Sequence, residues 1–425
     1  MEEKTVPQID LVLALSESLD LISPAIVGHH IRVAFIALNI GLMMNMKKQE
    51  LKDLIYGSLI HDVGALSLKD RLDGLEFDLK DPYLHSLVGC NLIRTHKPFT
   101  KISDIIKYHH FSWNNIDKIE DNGIKVPLSS QVIHLADRVD VLIDWKGNLY
   151  NQIDYIIKQI KIEKGKRFGP DIVDAFIESS TSKIIWQDLS SNNTLSLFNN
   201  LLGEELLDID ELLNISRIFE RIIDFRSRFT ATHSSGVAHV ACKLAKYLRM
   251  SQREIKMMRI AGNLHDLGKL AVPKEILEKP GALTKKEYEI VKKHVYYTYS
   301  ILKKIRGIGE IYEWAGLHHE RLNGEGYPFN KEGVELSLGS RIMAVADIFT
   351  AISEDRPYRR GMKKEQVLLT LDDMAKRNEI DGDILSILKS NYCEINEGRI
   401  SIQKEIVSEF RKFWNEINLN HPGVI

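Results

Sequence analysis

One ordered set of histidines and aspartates occurs twice along this 425-residue chain, in register, and that repeat limits the fold more than any other feature. GHHIRVAFIALNIG (28–41) resembles THSSGVAHVACKLA (232–245), and LIHDVGAL (59–66) resembles LHDLGKLA (264–271). KYHHF (107–111) pairs with GLHHE (316–320), and HLADRVDVL (134–142) with AVADIFTAI (344–352). The intervals agree too. His29 to His61 spans 32 residues, as does His233 to His265; His85 to His109 spans 24, as does His294 to His318; and His109 to Asp137 spans 28 against 29 from His318 to Asp347. Two copies are too few for a solenoid. The chain therefore reads as two related domains, duplicated and diverged.

Both copies read as helix. Apolar residues recur at spacings of three and four, with His233, Val237, Val240, Leu244 and Leu248 on one face, and alternating strand patterns are scarce. Prolines 24, 82, 170, 273, 280 and 328 punctuate the pattern. The Ser- and Asn-rich stretch around Gln187–Asn200 reads as the link between the copies. The expected division is 1–182, a linker at 183–205, a second domain at 206–395 and a helical extension at 396–425.

Lys and Arg number 57 against 59 Asp and Glu, a net charge of −2, so the chain lacks the basic footprint that duplex nucleic acid or an anionic membrane would need. The three cysteines, Cys90, Cys242 and Cys393, form no closely spaced pair, which fits a reducing, cytoplasmic setting rather than a disulfide framework. The start, MEEKTVPQID, does not resemble a signal peptide, and the longest apolar stretch, Val33 to Met46, is broken by Asn39 and Asn45, so no membrane span is expected.

The second copy carries His233, His265, Asp266, His294, His318, His319 and Asp347. Imidazole and carboxylate are ligands for divalent first-row metals. Seven such groups exceed the needs of one ion with an open position, but suit two ions sharing a bridging carboxylate. Paired metals are a recurrent solution for phosphate-ester hydrolysis. Lys269, three residues after Asp266 on an expected helix, shares its face and is placed to meet a phosphate oxygen. The loop ERLNGEGYP (320–328) follows the histidine pair, and EDRPYRRG (354–361) supplies Arg356, Arg359 and Arg360. Taken singly these are ordinary features, since a lone helical histidine is usually a satisfied core or surface residue. The conjunction, twice and in order, is not.

These stretches, with VKKH and RIMAVADIFTAI, resemble the HD-GYP domain of the HD phosphohydrolase superfamily over about 230–360. The resemblance implies an all-α fold of tandem HD-domain helical bundles and a metal-dependent phosphodiesterase. Its substrate would be a cyclic dinucleotide, cyclic di-GMP (opened to pGpG or GMP) or 3'3'-cyclic GMP-AMP, attacked by a hydroxide bridging two divalent metals, iron or manganese. It implies that His233, His265, Asp266 and Asp347 hold one ion and that Asp266, His294, His318 and His319 hold the other. Asp266 and Lys269 are then catalytic, and Lys269, Gly326, Tyr327, Arg356 and Arg359 face the substrate, with Pro328 completing the signature loop. Three-metal members have a glutamate four residues before the first ligand; Phe229 stands there, so two ions are expected. A homodimer or contacts with signalling proteins are compatible with the family.

The first copy resembles the broader HD fold. It keeps His29, His61, Asp62, His85, His109, His110 and Asp137 as a second metal set, but Ala65 replaces the lysine and FSWNNIDK (111–118) replaces the GYP loop. Its expected role is structural or regulatory. The rival readings of the whole are an HD-type nucleotidase acting on mononucleotides and a non-catalytic cyclic-dinucleotide receptor.

Overall fold

A computed structural model describes residues 5–21, 23, 26–78, 83–95, 99–121, 123–190, 194–227, 231–355 and 360–420. The chain divides into two compact units, Leu11–Glu205 and Met1–Asp10 with Leu206–Ile425. Both are helical, in agreement with the all-α expectation. The exceptions among the described residues are two two-residue strands, Val6–Pro7 paired antiparallel with Leu206–Leu207, and isolated bridges.

Each unit is built around the helix that opens on its first expected ligand histidine. His29–Met43 packs on Lys48–Leu59, Leu128–Leu142 and Pro170–Ser180; His233–Tyr247 packs on Gln252–Leu264, Leu338–Ser353 and Tyr392–Asn420. Both are nearly encircled by apolar contacts, with Val33, Ala34, Ala37 and Ile40 in one and Val237, Ala238, Ala241 and Leu244 in the other fully buried. Both also stop alike. Asn45 (φ 53°) and Arg249 (φ 58°) take left-handed conformations, which let the chain turn back and satisfy the last carbonyls, Met46 N–H on Gly41 and Met250 N–H on Ala245. Helix starts in the second unit are legible as capping boxes, Asp208 with Glu211, Ser251 with Glu254 and Thr284 with Glu287.

Three boundaries differ from the sequence reading. Val6–Pro7 pairs with Leu206–Leu207, and Asp10 accepts from Arg306 Nε at 2.9 Å, so this segment belongs to the second unit. The stretch read as a linker forms helices Lys183–Ser190 and Thr194–Leu202, and Trp186, Leu189, Phe198 and Leu202 are buried. Its polar composition conceals an apolar face, and composition cannot register facing. The segment read as an extension is part of one helix, Tyr392–Asn420, whose Ile395, Phe413 and Ile417 are buried. Among the described residues no helix is long and apolar enough to cross a membrane.

Candidate metal centre

In the second unit the seven expected ligands come from five places and meet. His233 is the first residue of its helix, His265 caps the C-terminus of Gln252–Leu264, and Asp266 follows it. His294 lies within Lys285–Leu302, His318 and His319 follow Ile311–Gly316, and Asp347 lies within Leu338–Ser353. His233, His265 and Asp347 offer ligand atoms within 4.8 Å of one another, and so do His294, His318 and His319. Asp266 stands between the groups, with Oδ2 3.2 Å from His265 Nε2 and Oδ1 3.3 Å from His294 Nε2.

The backbone fixes which nitrogen faces the centre. His265, His294 and His318 donate Nδ1–H to the carbonyls of Gly262 (2.8 Å), Val291 (2.5 Å) and Ala315 (2.6 Å). A carbonyl only accepts, so the proton is on Nδ1 and Nε2 presents a lone pair. All three Nε2 atoms are buried without a hydrogen-bond partner. One such orphan costs about 1–3 kcal/mol. Three of them converging beside one carboxylate form a donor set that fits divalent cations and is costly otherwise.

The electrostatics agree. Burial alone would raise the Asp266 carboxyl, but His265 and Lys269 overrule it and hold it well below the usual carboxylate range. Burial would likewise raise Asp347, and His233 and His319 hold it well below. Burial, with His265 beside it, pushes His318 down to about 3, so it is neutral as a ligand must be.

Lys269 sits in a 3₁₀ turn, Leu267–Ala271, not on the expected helix. The three-residue turn still stacks i on i+3, and its Nζ lies 2.5 Å from Asp266 Oδ2. The turn needs Gly268, where a Cβ would fall 2.0 Å from the His294 carbonyl oxygen; Gly64 meets the His85 carbonyl at the same distance. Gly326 is equally constrained, since a Cβ would fall 2.3 Å from Arg321 N. Tyr327 N–H donates to the His319 carbonyl at 3.2 Å and its ring centroid lies 4.9 Å from that of His319. This loop walls a cleft of about 640 Å³, lined also by Tyr288, Lys292, Lys293 and Arg321. Arg356, Arg359 and Phe229 lie outside the described residues.

Several residues that support the site went unread in the sequence. Glu354 accepts from His233 Nδ1 at 2.9 Å and is itself held by Gln403 Nε2 at 3.1 Å. Glu320 anchors the loop by accepting from Phe329 and Lys331 amides at 2.7 and 2.9 Å. Lys292, Lys293 and Arg321 supply the cleft's cations. The repeat did carry one overlooked signal: Asp224 lies nine residues before His233, as Asp20 lies nine before His29.

The first unit gathers its set the same way. Asp62, His85, His109 and His110 form one group and His29, His61 and Asp137 another. His61 and His109 donate Nδ1–H to the carbonyls of Ser58 (2.8 Å) and Ile106 (2.6 Å). Asp140 takes the role of Glu354, accepting from His29 Nδ1 at 2.7 Å.

Two family models match, both described as HD domain, over residues 26–142 and 217–384. The 3'3'-cGAMP-specific phosphodiesterase 1 of Vibrio cholerae is 30% identical over 388 residues, 89% of this chain and 90% of that one. The cyclic di-GMP phosphodiesterase response regulator RpfG of Xanthomonas campestris is 31% identical over 224 residues, 52% of this chain and 56% of that one. A crystal structure of a cyclic GMP-AMP phosphodiesterase of V. cholerae shares the fold, with a TM-score of 0.64 and 24% identity over 91% of this chain and 97% of that one. A likeness spanning nine-tenths of both chains settles the lineage: the protein belongs to the HD-domain family of these phosphodiesterases and carries the HD-GYP signature in its C-terminal half.

Proposed function

We propose that the protein hydrolyses a cyclic dinucleotide at the C-terminal centre, and that 3'3'-cyclic GMP-AMP is its preferred substrate. The observation that carries the hydrolase reading is the set of three inward Nε2 lone pairs around Asp266, with Lys269 alongside. His233, His265, Asp266 and Asp347 would hold one ion and Asp266, His294, His318 and His319 a second, iron or manganese. When bound, such ions stabilise charge on phosphoryl oxygens and acidify the attacking water. The carbonyl anchors on His265, His294 and His318 keep their lone pairs oriented without reorganisation, and Glu354 does the same for His233. The Lys269 ammonium adds positive charge where phosphoryl charge builds. Lys292, Lys293 and Arg321 line the neighbouring cleft and suit the second phosphate. The preference rests on coverage: the relative named for 3'3'-cGAMP aligns over both units, whereas the cyclic di-GMP relative RpfG matches about half of each chain. A cytoplasmic location, where such messengers occur, belongs to the same proposal.

The test is hydrolysis of 3'3'-cGAMP, cyclic di-GMP, dGTP and cyclic AMP side by side, with iron- and manganese-loaded protein and product identification. Fastest turnover of 3'3'-cGAMP to a linear dinucleotide is expected. Fastest turnover of dGTP would establish a nucleotidase, and tight binding of a cyclic dinucleotide without turnover a receptor.

A further inference from the structure

The N-terminal unit offers its cluster one imidazole that the C-terminal unit lacks. In the C-terminal unit the first ligand histidine is followed by Ser234, whose amide and hydroxyl donate to Asp224 at 3.0 and 2.9 Å. At the same place in the N-terminal unit stands His30, and the matching carboxylate, Asp20, accepts from its Nδ1. With Nδ1 turned to Asp20, Nε2 is the nitrogen left to serve as a ligand. His30 is 2% exposed and that nitrogen has no hydrogen-bond partner. His30, His61 and Asp62 offer ligand atoms within 4.8 Å of one another, with the His30 and His61 ring centroids 5.0 Å apart. A carboxylate behind an imidazole whose other nitrogen is bare is the arrangement that backs metal-bound histidines.

The neighbouring position is altered in the opposite sense. Arg138 donates to Asp137 Oδ2 through Nε at 3.2 Å and Nη2 at 2.7 Å. A cation on His29, His61 and Asp137 would therefore lie beside a buried guanidinium, whereas one on His30, His61 and Asp62 keeps two carboxylates, Asp62 and Asp20, on its side.

We infer that His30 is an inner-sphere ligand of a divalent transition-metal ion in the N-terminal unit, shared with His61 and Asp62, at a position the C-terminal unit does not possess. Two imidazoles and a carboxylate suit zinc, iron or manganese. The other Asp62 oxygen lies 3.4 Å from His85 Nε2 and 3.8 Å from His109 Nε2, so Asp62 can bridge to an ion on that side. The inference concerns the N-terminal unit alone and stands whether or not the C-terminal centre hydrolyses anything.

The experiment is elemental analysis of the full chain, loaded with manganese and desalted, as wild type, His30→Ser, Asp20→Asn and Asp62→Ala, with circular dichroism as the check on folding. Serine recreates the Ser234–Asp224 pairing, so His30→Ser keeps a partner for Asp20. His30→Ser is expected to lose one ion per chain relative to wild type. Asp20→Asn is expected to weaken manganese binding by about 10–100-fold in competition with a chromophoric chelator. An unchanged manganese content in folded His30→Ser overturns the inference, as does equal content in wild type and Asp62→Ala, which would mean the unit holds no ion. If His30→Ser fails to fold, an unchanged affinity in Asp20→Asn overturns it instead.

Discussion

In the C-terminal unit Asp347 faces imidazoles, His233 at 3.1 Å and His319 at 3.6 Å, whereas its counterpart Asp137 shares a carboxylate oxygen with the Arg138 fork. Asp266 has Lys269 at 2.5 Å, while three residues after Asp62 stands Ala65. The two units keep the same ligand order on matching helices and differ in where the fixed positive charge sits. In the C-terminal unit it is on the Lys269 ammonium, 17% exposed. In the N-terminal unit it is on a buried guanidinium, whose remaining nitrogen bonds reach the carbonyls of Gly74 (2.7 Å), Glu76 and Phe77 (3.5 Å). A charge that must meet a substrate has to be reachable, whereas one that holds a loop does not. On the proposed function, duplication preserved the frame of expected ligands while catalysis and support separated.

The largest test of that contrast is loss of the two bridging carboxylates. Removing one preorganised charge stabiliser typically costs about 10²–10³ in turnover, and Asp266→Ala also disrupts both expected ion positions, so hydrolysis is expected to fall further than that. Asp62→Ala should cost much less. Steady-state turnover of both variants, with metal content measured alongside, checks this. Equal losses would mean that the N-terminal unit shares the chemistry.

Lys269→Ala comes next, with an expected loss of about 10²-fold in kcat and unchanged metal content. A fall in metal content together with kcat would make Lys269 a partner of Asp266 alone, as its 2.5 Å contact allows. Below that stands Glu354→Gln, expected to weaken metal binding about 10–100-fold by loosening His233. Chelator competition measures it, and an unchanged affinity would remove Glu354 from the site.

The clustered candidate ligands were legible because a metal site fixes residue type and the duplication supplied an internal control on spacing. Their supports were not, because an imidazole accepts backing from any acceptor the fold brings near. His233 is backed by Glu354, seven residues after Asp347, and His29 by Asp140, three after Asp137. The same function moved along the helix end, so no common spacing exists to find. Arg138 was hidden for another reason. A charged residue inside HLADRVDVL is expected at a surface, and only the fold shows it 1% exposed among carbonyls. The core-packed helices at 183–202 escaped because Ser and Asn content spoke louder than the spacing of Trp186, Leu189, Phe198 and Leu202.

The smallest expected effect is the one on which the units should not differ. Gly64 and Gly268 occupy the turn after each bridging aspartate, and a Cβ at either would fall 2.0 Å from the carbonyl oxygen of His85 or His294. Those atoms are backbone, so relief requires the ligand helix to move. Gly64→Ala and Gly268→Ala should each destabilise by about 1–3 kcal/mol, the usual cost of forcing extra volume into a packed interior, as read by urea unfolding. Activity should separate them, because moving His294 away from Asp266 disturbs the hydrolytic centre and moving His85 does not. If Gly64→Ala were tolerated while Gly268→Ala was not, the N-terminal turn would be looser than its geometry indicates, and the view that both units retain one rigid ligand frame would fail.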